Sequence, residues 1–223
     1  MERRRGGGNA PYDDPRSPLG RRLRVVQQRV REALDVARPG RIRTVSVCAG
    51  QGRDKLGALK GHPRGGDVPA RLVEGDAAKV RAARATARRS GLGGIEVVEG
   101  DASVTDSYAG AVPASLVLLG GVFGRIPFAD VERTVSLLPQ LCAEGAQVIW
   151  TRGRREGAER TDEIRAVFAE HGFHERWLSG PGEKDHVVGV HRFAGRPVPL
   201  ERGRRLFSFM GYEDVREENV PAG

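Results

Sequence analysis

Apolar positions along the chain follow two different periods. From Leu19 to Ala37, the residues Leu23, Val26, Val30, Ala33 and Leu34 recur three or four apart, which predicts an amphipathic helix. Ser17 is placed to cap it, Pro18 takes its first position, and Pro39-Gly40 ends it. The pattern then changes to short apolar runs separated by helical stretches. Strands are predicted at Ile42–Val47, Ala70–Val73, Ile95–Val98, Ser115–Leu119 and Ala146–Thr151. Helices are predicted at Asp54–Leu59, Asp76–Ser90, Phe128–Cys142 and Thr161–His171. Two last strands, Phe173–Leu178 and His186–Phe193, have only the turn Ser179–Asp185 between them and so form an antiparallel hairpin. Strands alternating with helices predict an α/β fold, a Rossmann-like doubly wound sheet that is mostly parallel and ends in an antiparallel strand. The first eleven or so residues, and the polar tail after Gly211, are expected to lie outside this fold.

Composition narrows the classes. Apolar residues make up 39% of the 223, enough for a packed core rather than a disordered chain. The formal charge of +8 invites a nucleic-acid reading. However, 33 of the 37 basic residues are arginine, acids are interleaved throughout, and aromatics are only 5%, which suits a compositional bias better than a stacking groove. Cys48 and Cys142 have neither disulfide nor metal spacing, so no metal site is expected. No apolar run reaches the roughly 18 residues of a membrane span, and Met1–Gly8 has no apolar segment behind it; a cytoplasmic protein is expected.

The chemistry concentrates in Thr44-Val45-Ser46-Val47-Cys48-Ala49-Gly50-Gln51-Gly52-Arg53-Asp54, a strand breaking into a glycine turn before a helix. In an open α/β sheet this first turn receives a nucleotide-like cofactor. Glu74 ends the next strand 22 residues after Gly52, where a carboxylate can accept both hydrogens of a ribose diol. Asp101, after the third strand, can read an adenine edge together with a neighbouring amide. Gly120-Gly121 end the fourth strand, where a ligand would lie against bare backbone. No GxxxxGK[ST] phosphate loop is present, no tyrosine has a lysine four residues on, and the turn lacks the third glycine of a dinucleotide site.

These residues resemble the class I S-adenosylmethionine-dependent methyltransferases: Thr44–Gly52 their first motif, Glu74 the second, Gly100-Asp101-Ala102 the third, and the final hairpin their seven-stranded sheet. The chain is also similar to a group of actinobacterial methyltransferase-domain proteins of poorly defined substrate, through Tyr12-Asp13-Asp14-Pro15, Val47–Asp54 and Gly121-Val122-Phe123-Gly124. The resemblance implies a methyltransferase domain over 40–193, a leader and lid over 1–39 and an extension over 194–223. It implies S-adenosylmethionine as cofactor, held by Cys48, Ala49, Gly50, Gly52, Asp54, Glu74, Gly75, Asp101, Ala102 and Gly120. The family usually carries an acid where Ser46 stands and glycine where Cys48 stands. Asp54 is then the carboxylate expected to meet the cofactor's amino group.

Methyl transfer from an activated sulfonium needs mainly positioning, with a base only if the nucleophile is protonated. The fourth strand is not followed by an Asp/Asn-Pro-Pro-aromatic motif, and neither cysteine is placed for nucleophilic catalysis. The expected acceptor is a small molecule, met by Tyr12, Phe123 and Arg152, with Trp150 also at a strand end. His186 and Tyr12 are the candidate bases. His171, His174 and His191 read as structural, and His62 as a loop residue. Two alternatives stay open: an RNA acceptor held by Arg152, Arg154, Arg155 and the N-terminal arginines, and a non-catalytic cofactor-binding domain.

Overall fold

The computed structural model describes residues 10–153, 160–180 and 182–211. A single helical turn, α1 (Ala10–Asp13), leads into α2 (Pro18–Asp35). Ser17 caps α2, its side chain accepting from the Gly20 amide at 2.9 Å. At the other end the Arg64 guanidinium donates to the carbonyls of Leu34 in the last turn and of Ala37, Arg38 and Gly40 just beyond it, tying down the chain that leaves the helix.

The alternating elements follow: β1 (Thr44–Val47), α3 (Arg53–Leu59), β2 (Ala70–Glu74), α4 (Ala77–Arg89), β3 (Ile95–Glu99), β4 (Ala114–Leu119), α5 (Phe128–Leu137), β5 (Cys142–Gly153), α6 (Thr161–Glu170), β6 (Phe173–Leu178) and β7 (His186–Phe193). They form one seven-stranded sheet in the order β3-β2-β1-β4-β5-β7-β6. All neighbours are parallel except β7, which is antiparallel to both β5 and β6. The hairpin strand β7 therefore inserts antiparallel between β5 and β6, the arrangement that the resemblance of the final hairpin implies.

Side chains alternate across the sheet and divide the core in two. Leu116 and Leu118 of β4 face a cluster with Val26, Val30 and Leu34 of α2 and Leu56 and Leu59 of α3. Val117 and Leu119 face the other side, with Val131 and Val135 of α5 and Phe168 of α6. Leu206 and Phe207, far down the chain, are fully buried in that second cluster. Residues 194–211 thus run back across the sheet as a strap. Its Leu206 and Met210 amides donate to the carbonyls of Ser103 and Arg125, and the Ser208 amide donates to Asp130.

Several expected boundaries shift. The helix predicted over Phe128–Cys142 stops at Leu137, and Leu138–Gln140 forms a single 3₁₀ turn. Pro139 has no amide to continue the ladder and disfavours helical backbone before it. Cys142 consequently begins β5 rather than closing a helix, and β5 is longer than the predicted Ala146–Thr151. Ile42 precedes β1 instead of starting it, although it is buried in the core. Residues 10–13, expected to be irregular, form α1; the tail after Gly211 lies outside the described residues.

Candidate functional site

Strand order reverses between β1 and β4, and their carboxyl ends open on a cavity of about 620 Å³. This is the crevice where open α/β sheets bind ligands. The turn after β1 is built from left-handed backbone: Cys48 has φ 54°, Gly50 57° and Gly52 71°. Gly50 and Gly52 adopt this region without strain, whereas Cys48 carries a side chain there. The turn is tied down by the Ala49 amide on Val73 O at 2.9 Å and the Gly52 amide on Ala49 O at 2.8 Å.

Glu74 closes β2 directly beside that turn. Its carboxylate accepts the Gly50 amide at 2.7 Å and the Asp76 amide at 3.0 Å. Two amides use two of roughly four acceptor positions on a carboxylate, so Glu74 can still receive a vicinal diol at the cavity wall. Lys79 Nζ stands 3.9 Å from Glu74 and 3.8 Å from Asp76. The exposed Asp76 caps α4 through the Lys79 and Ala78 amides, and those bonds hold its carboxyl below the usual value.

Asp101 follows β3, with one oxygen committed to the Ser103 amide at 2.8 Å and hydroxyl at 2.6 Å. Partial burial works to raise its carboxyl, but the Ser103 bonds and Arg205, 3.5 Å away, bring it below the usual range. Its second oxygen lies 3.5 Å from Arg205 Nη1.

Asp54 occupies the first turn of α3 beneath the β4 end. A Cβ built on Gly120 would meet its Oδ2 at 3.3 Å, and its Oδ1 is buried without a hydrogen-bond partner among the described residues. Burial pushes the Asp54 carboxyl up, with Arg22 and Lys55 pulling the other way. Lys55 is itself buried, and its ammonium is pushed down to about 7 by burial, partly offset by Asp54. Burial, with Glu74 nearby, pushes the Cys48 thiol up to about 12, so it is a neutral wall of the cavity, not a nucleophile.

The cavity collects Tyr12, Cys48, Ala49, Gly50, Asp54, Glu74, Gly75, Asp101, Ala102, Gly120 and Arg152 from the sequence-derived set. Gly52 stands behind it, buried at the start of α3, where a Cβ would come within 2.8 Å of Leu72. Phe123 is also elsewhere. It is 2% exposed and packs tilted in the core against Trp150 and Phe168, with ring centroids 5.8 and 6.2 Å away. Its strand-end position is compatible with ligand contact, but the loop after Gly121 turns the ring inward. Trp150 is likewise buried, donating to His191 Nδ1 at 3.2 Å. His191 lies against Phe168 at 4.2 Å and is pushed down to about 4 by burial, a neutral core residue.

His186 is buried at the start of β7, with Glu183 3.7 Å away, and does not line the cavity. Burial lowers its proton affinity, with Glu183 opposing. His62 sits beside Asp35 at 3.1 Å. Arg154 and Arg155 lie outside the described residues.

Sequence reasoning missed part of this wall. Arg22 enters from α2, Arg53 from α3, and Arg125 from the loop after β4; Phe209 arrives from the strap. Arg53 pairs with Asp13 at 2.6 Å, and both Arg53 and Arg22 lie over the Tyr12 ring at 5.6 and 5.8 Å. This fixes α1 across the cavity mouth. No short-range pattern in the sequence shows that the strap doubles back. Among the described residues no group of three or more His, Cys, Asp or Glu side chains gathers as a metal site, and no helix is long and apolar enough to cross a membrane.

No family model matches the chain, and no curated protein does. Solved structures do. Magnesium protoporphyrin IX methyltransferase (ChlM) from Synechocystis PCC 6803, determined with bound SAM, superposes with a TM-score of 0.63 at 12% identity, over 84% of this chain and 86% of that one. The CurJ carbon methyltransferase gives 0.64 at 14% identity, over 82% of this chain and 57% of that one. The [4+2]-cyclase SpnF gives 0.58 at 12% identity, over 85% of each. Such identities speak to architecture, and the cyclase illustrates that one architecture hosts several chemistries. The chain has the Rossmann-like, seven-stranded fold of class I S-adenosylmethionine-dependent methyltransferases.

Proposed function

We propose that the chain is an S-adenosylmethionine-dependent methyltransferase acting on a small-molecule acceptor. The observation that carries this reading is Glu74, presented at the end of β2 by the Gly50 and Asp76 amides with acceptor capacity facing the cavity. The remaining walls suit the same cofactor. Asp101 and the Ala102 backbone stand where an adenine edge would be read. Gly75 and Gly120 leave the floor bare: a Cβ on Gly75 would lie 3.7 Å from Gly100 O, and one on Gly120 would crowd Asp54. Asp54 Oδ1, without a hydrogen-bond partner among the described residues, is matched to a cationic amino group, the role that the usual family acid at the Ser46 position would fill. Ser46 itself is buried.

When bound, S-adenosylmethionine supplies a methyl group on a positively charged sulfur, already activated for transfer. The chain's own residues bind, orient and exclude water. Glu74 and Asp54 hold the two polar ends, and the β1 turn supplies close backbone approach. Tyr12, carried on α1 and braced by Arg22 and Arg53, covers the mouth and is the candidate base that faces the cavity. In this reading residues 40–193 are the methyltransferase domain, α1 contributes the cover and residues 194–211 the strap.

Kinship with the actinobacterial methyltransferase-domain group is part of this proposal. Its three shared segments, around Tyr12, Cys48 and Gly121, each contribute residues to this one cavity. The test is transfer itself. The protein is incubated with methyl-labelled S-adenosylmethionine and either a small-molecule extract or total RNA. Label is expected in the small-molecule fraction and reduced in Glu74→Gln reactions at sub-saturating cofactor; label in RNA, or no transfer to either pool, counts against the assignment.

A further inference from the structure

We propose that Lys55 is a positioning residue for the cofactor: its ammonium is the resident counter-ion of Asp54 in the free protein, and it yields its proton to solvent when the cofactor's cationic amino group takes that carboxylate. The inference rests on the cofactor reading above.

Asp54 and Lys55 are neighbours in the first turn of α3. Lys55 is 1% exposed, and Asp54 is half-buried with its Oδ1 closed off from solvent. Asp54 borders two cavities. It lines the large one below Gly120, and it also lines a void of about 10 Å³ shared with Ser46, Cys48 and Lys55. Asp54 Oδ1, Lys55 Nζ and Ser46 Oγ are all buried without a hydrogen-bond partner among the described residues. A void of that size holds at most one water and admits no anion from solvent. The charge of Lys55 is therefore balanced from Asp54 across the turn. Around the pair, Arg22 from α2 acts on Asp54, and the Cys48 thiol of the β1 turn is neutral. β1 and β4 contribute Ser46, Val47, Leu118 and Gly120, none of which titrates.

The other buried side chains of α3, Leu56, Ala58 and Leu59, are apolar. A lysine at the same depth costs stability that an aliphatic residue there would not, so packing does not account for it. Burial pushes its ammonium down to about 7, with Asp54 holding it up. Both protonation states are thus within reach near neutral pH. When a second cation pairs with Asp54, Lys55 loses that support and faces a like charge, and both effects favour its neutral form. The proton leaves Lys55 Nζ for solvent, while the cofactor's ammonium keeps its own. One positive charge accompanies the Asp54 carboxylate before and after the exchange. Lys55 thereby keeps Asp54 ionised and ready for the incoming amino group.

The chain contains four lysines, Lys55, Lys60, Lys79 and Lys184, so NMR of protein carrying isotope-labelled lysine can follow each Cε signal through a pH titration. The Lys55 signal is the one absent from Lys55→Met. Its midpoint is expected within about one pH unit of 7 in the free protein. In the S-adenosylhomocysteine complex it should fall by about one pH unit or more, a tenfold loss of proton affinity. 5′-Methylthioadenosine, which lacks the amino-acid end, should leave the midpoint in place. A free-protein midpoint above about 8, a midpoint that S-adenosylhomocysteine leaves unchanged, or an equal shift with 5′-methylthioadenosine overturns the inference. Failure of S-adenosylhomocysteine to bind, read by calorimetry on the same sample, overturns the cofactor reading and this inference with it.

Discussion

Asp54→Asn separates a ligand-binding carboxylate from a structural one, because the two roles give opposite signs. The carboxyl is pushed up by burial, so its charged form is costly in the folded protein. A raised carboxyl pKa means that this cost is absent below the ordinary value of 3.8, grows as pH rises towards the folded value, and is fully present above it. Near about pH 9, Lys55, with its folded value of about 7, is largely neutral and no longer rewards the carboxylate. Under those conditions the asparagine variant should be at least as stable as the parent in urea denaturation. Its cofactor affinity should move the other way. A charge-assisted hydrogen bond contributes ~1.5–3 kcal/mol, so losing it weakens S-adenosylhomocysteine binding roughly 10- to 150-fold. Isothermal titration of parent and variant reads both the constant and the stoichiometry. An affinity within about twofold of the parent would refute the role given to Asp54.

Other consequences follow from the same geometry. Lys55→Met should stabilise the protein near neutral pH and flatten its pH dependence. The parent should gain stability above about pH 7, as the lowered Lys55 sheds its proton in the folded state first, at up to ~1.4 kcal/mol per pH unit; identical urea midpoints at pH 7 and 9 in the parent would contradict this. Gly120→Val should abolish cofactor binding by filling the floor above Asp54 while the far-ultraviolet circular dichroism stays native; retained affinity would mean that the floor is not used. Phe207→Ala should cost ~3–5 kcal/mol in chemical denaturation, since the ring is fully buried in the core beneath the strap. A loss below about 1 kcal/mol would show that the strap does not belong to the folded core.

Much of the fold was legible because β1, β2, β4 and β5 each lead into a helical stretch, with glycine or proline at many of the breaks. The β6–β7 hairpin was readable from the lack of any helix between two apolar runs. The Phe128 helix was overextended because Leu138 and Leu141 keep helical spacing through Pro139. Those leucines are core residues of a turn, so the burial pattern survived while the hydrogen-bond ladder did not. The carboxylate and glycine positions of the cavity were legible because strand-end placement depends on local spacing. Phe123 and Trp150 show the limit of that reasoning: both sit near strand ends, but the side-chain direction is set by the aromatic core that receives them. Arg125 and Phe209 were missed for a different reason. They meet only because the strap returns across the sheet, and no short-range pattern encodes that long contact.

We propose that the crevice between β1 and β4 holds S-adenosylmethionine through Glu74. Calorimetric titration of the full chain with S-adenosylmethionine and S-adenosylhomocysteine tests it most directly. One site per chain is expected for each ligand, with Glu74→Gln weakening both by about tenfold or more. No binding of either ligand to the folded protein, or binding that Glu74→Gln leaves untouched, would contradict it.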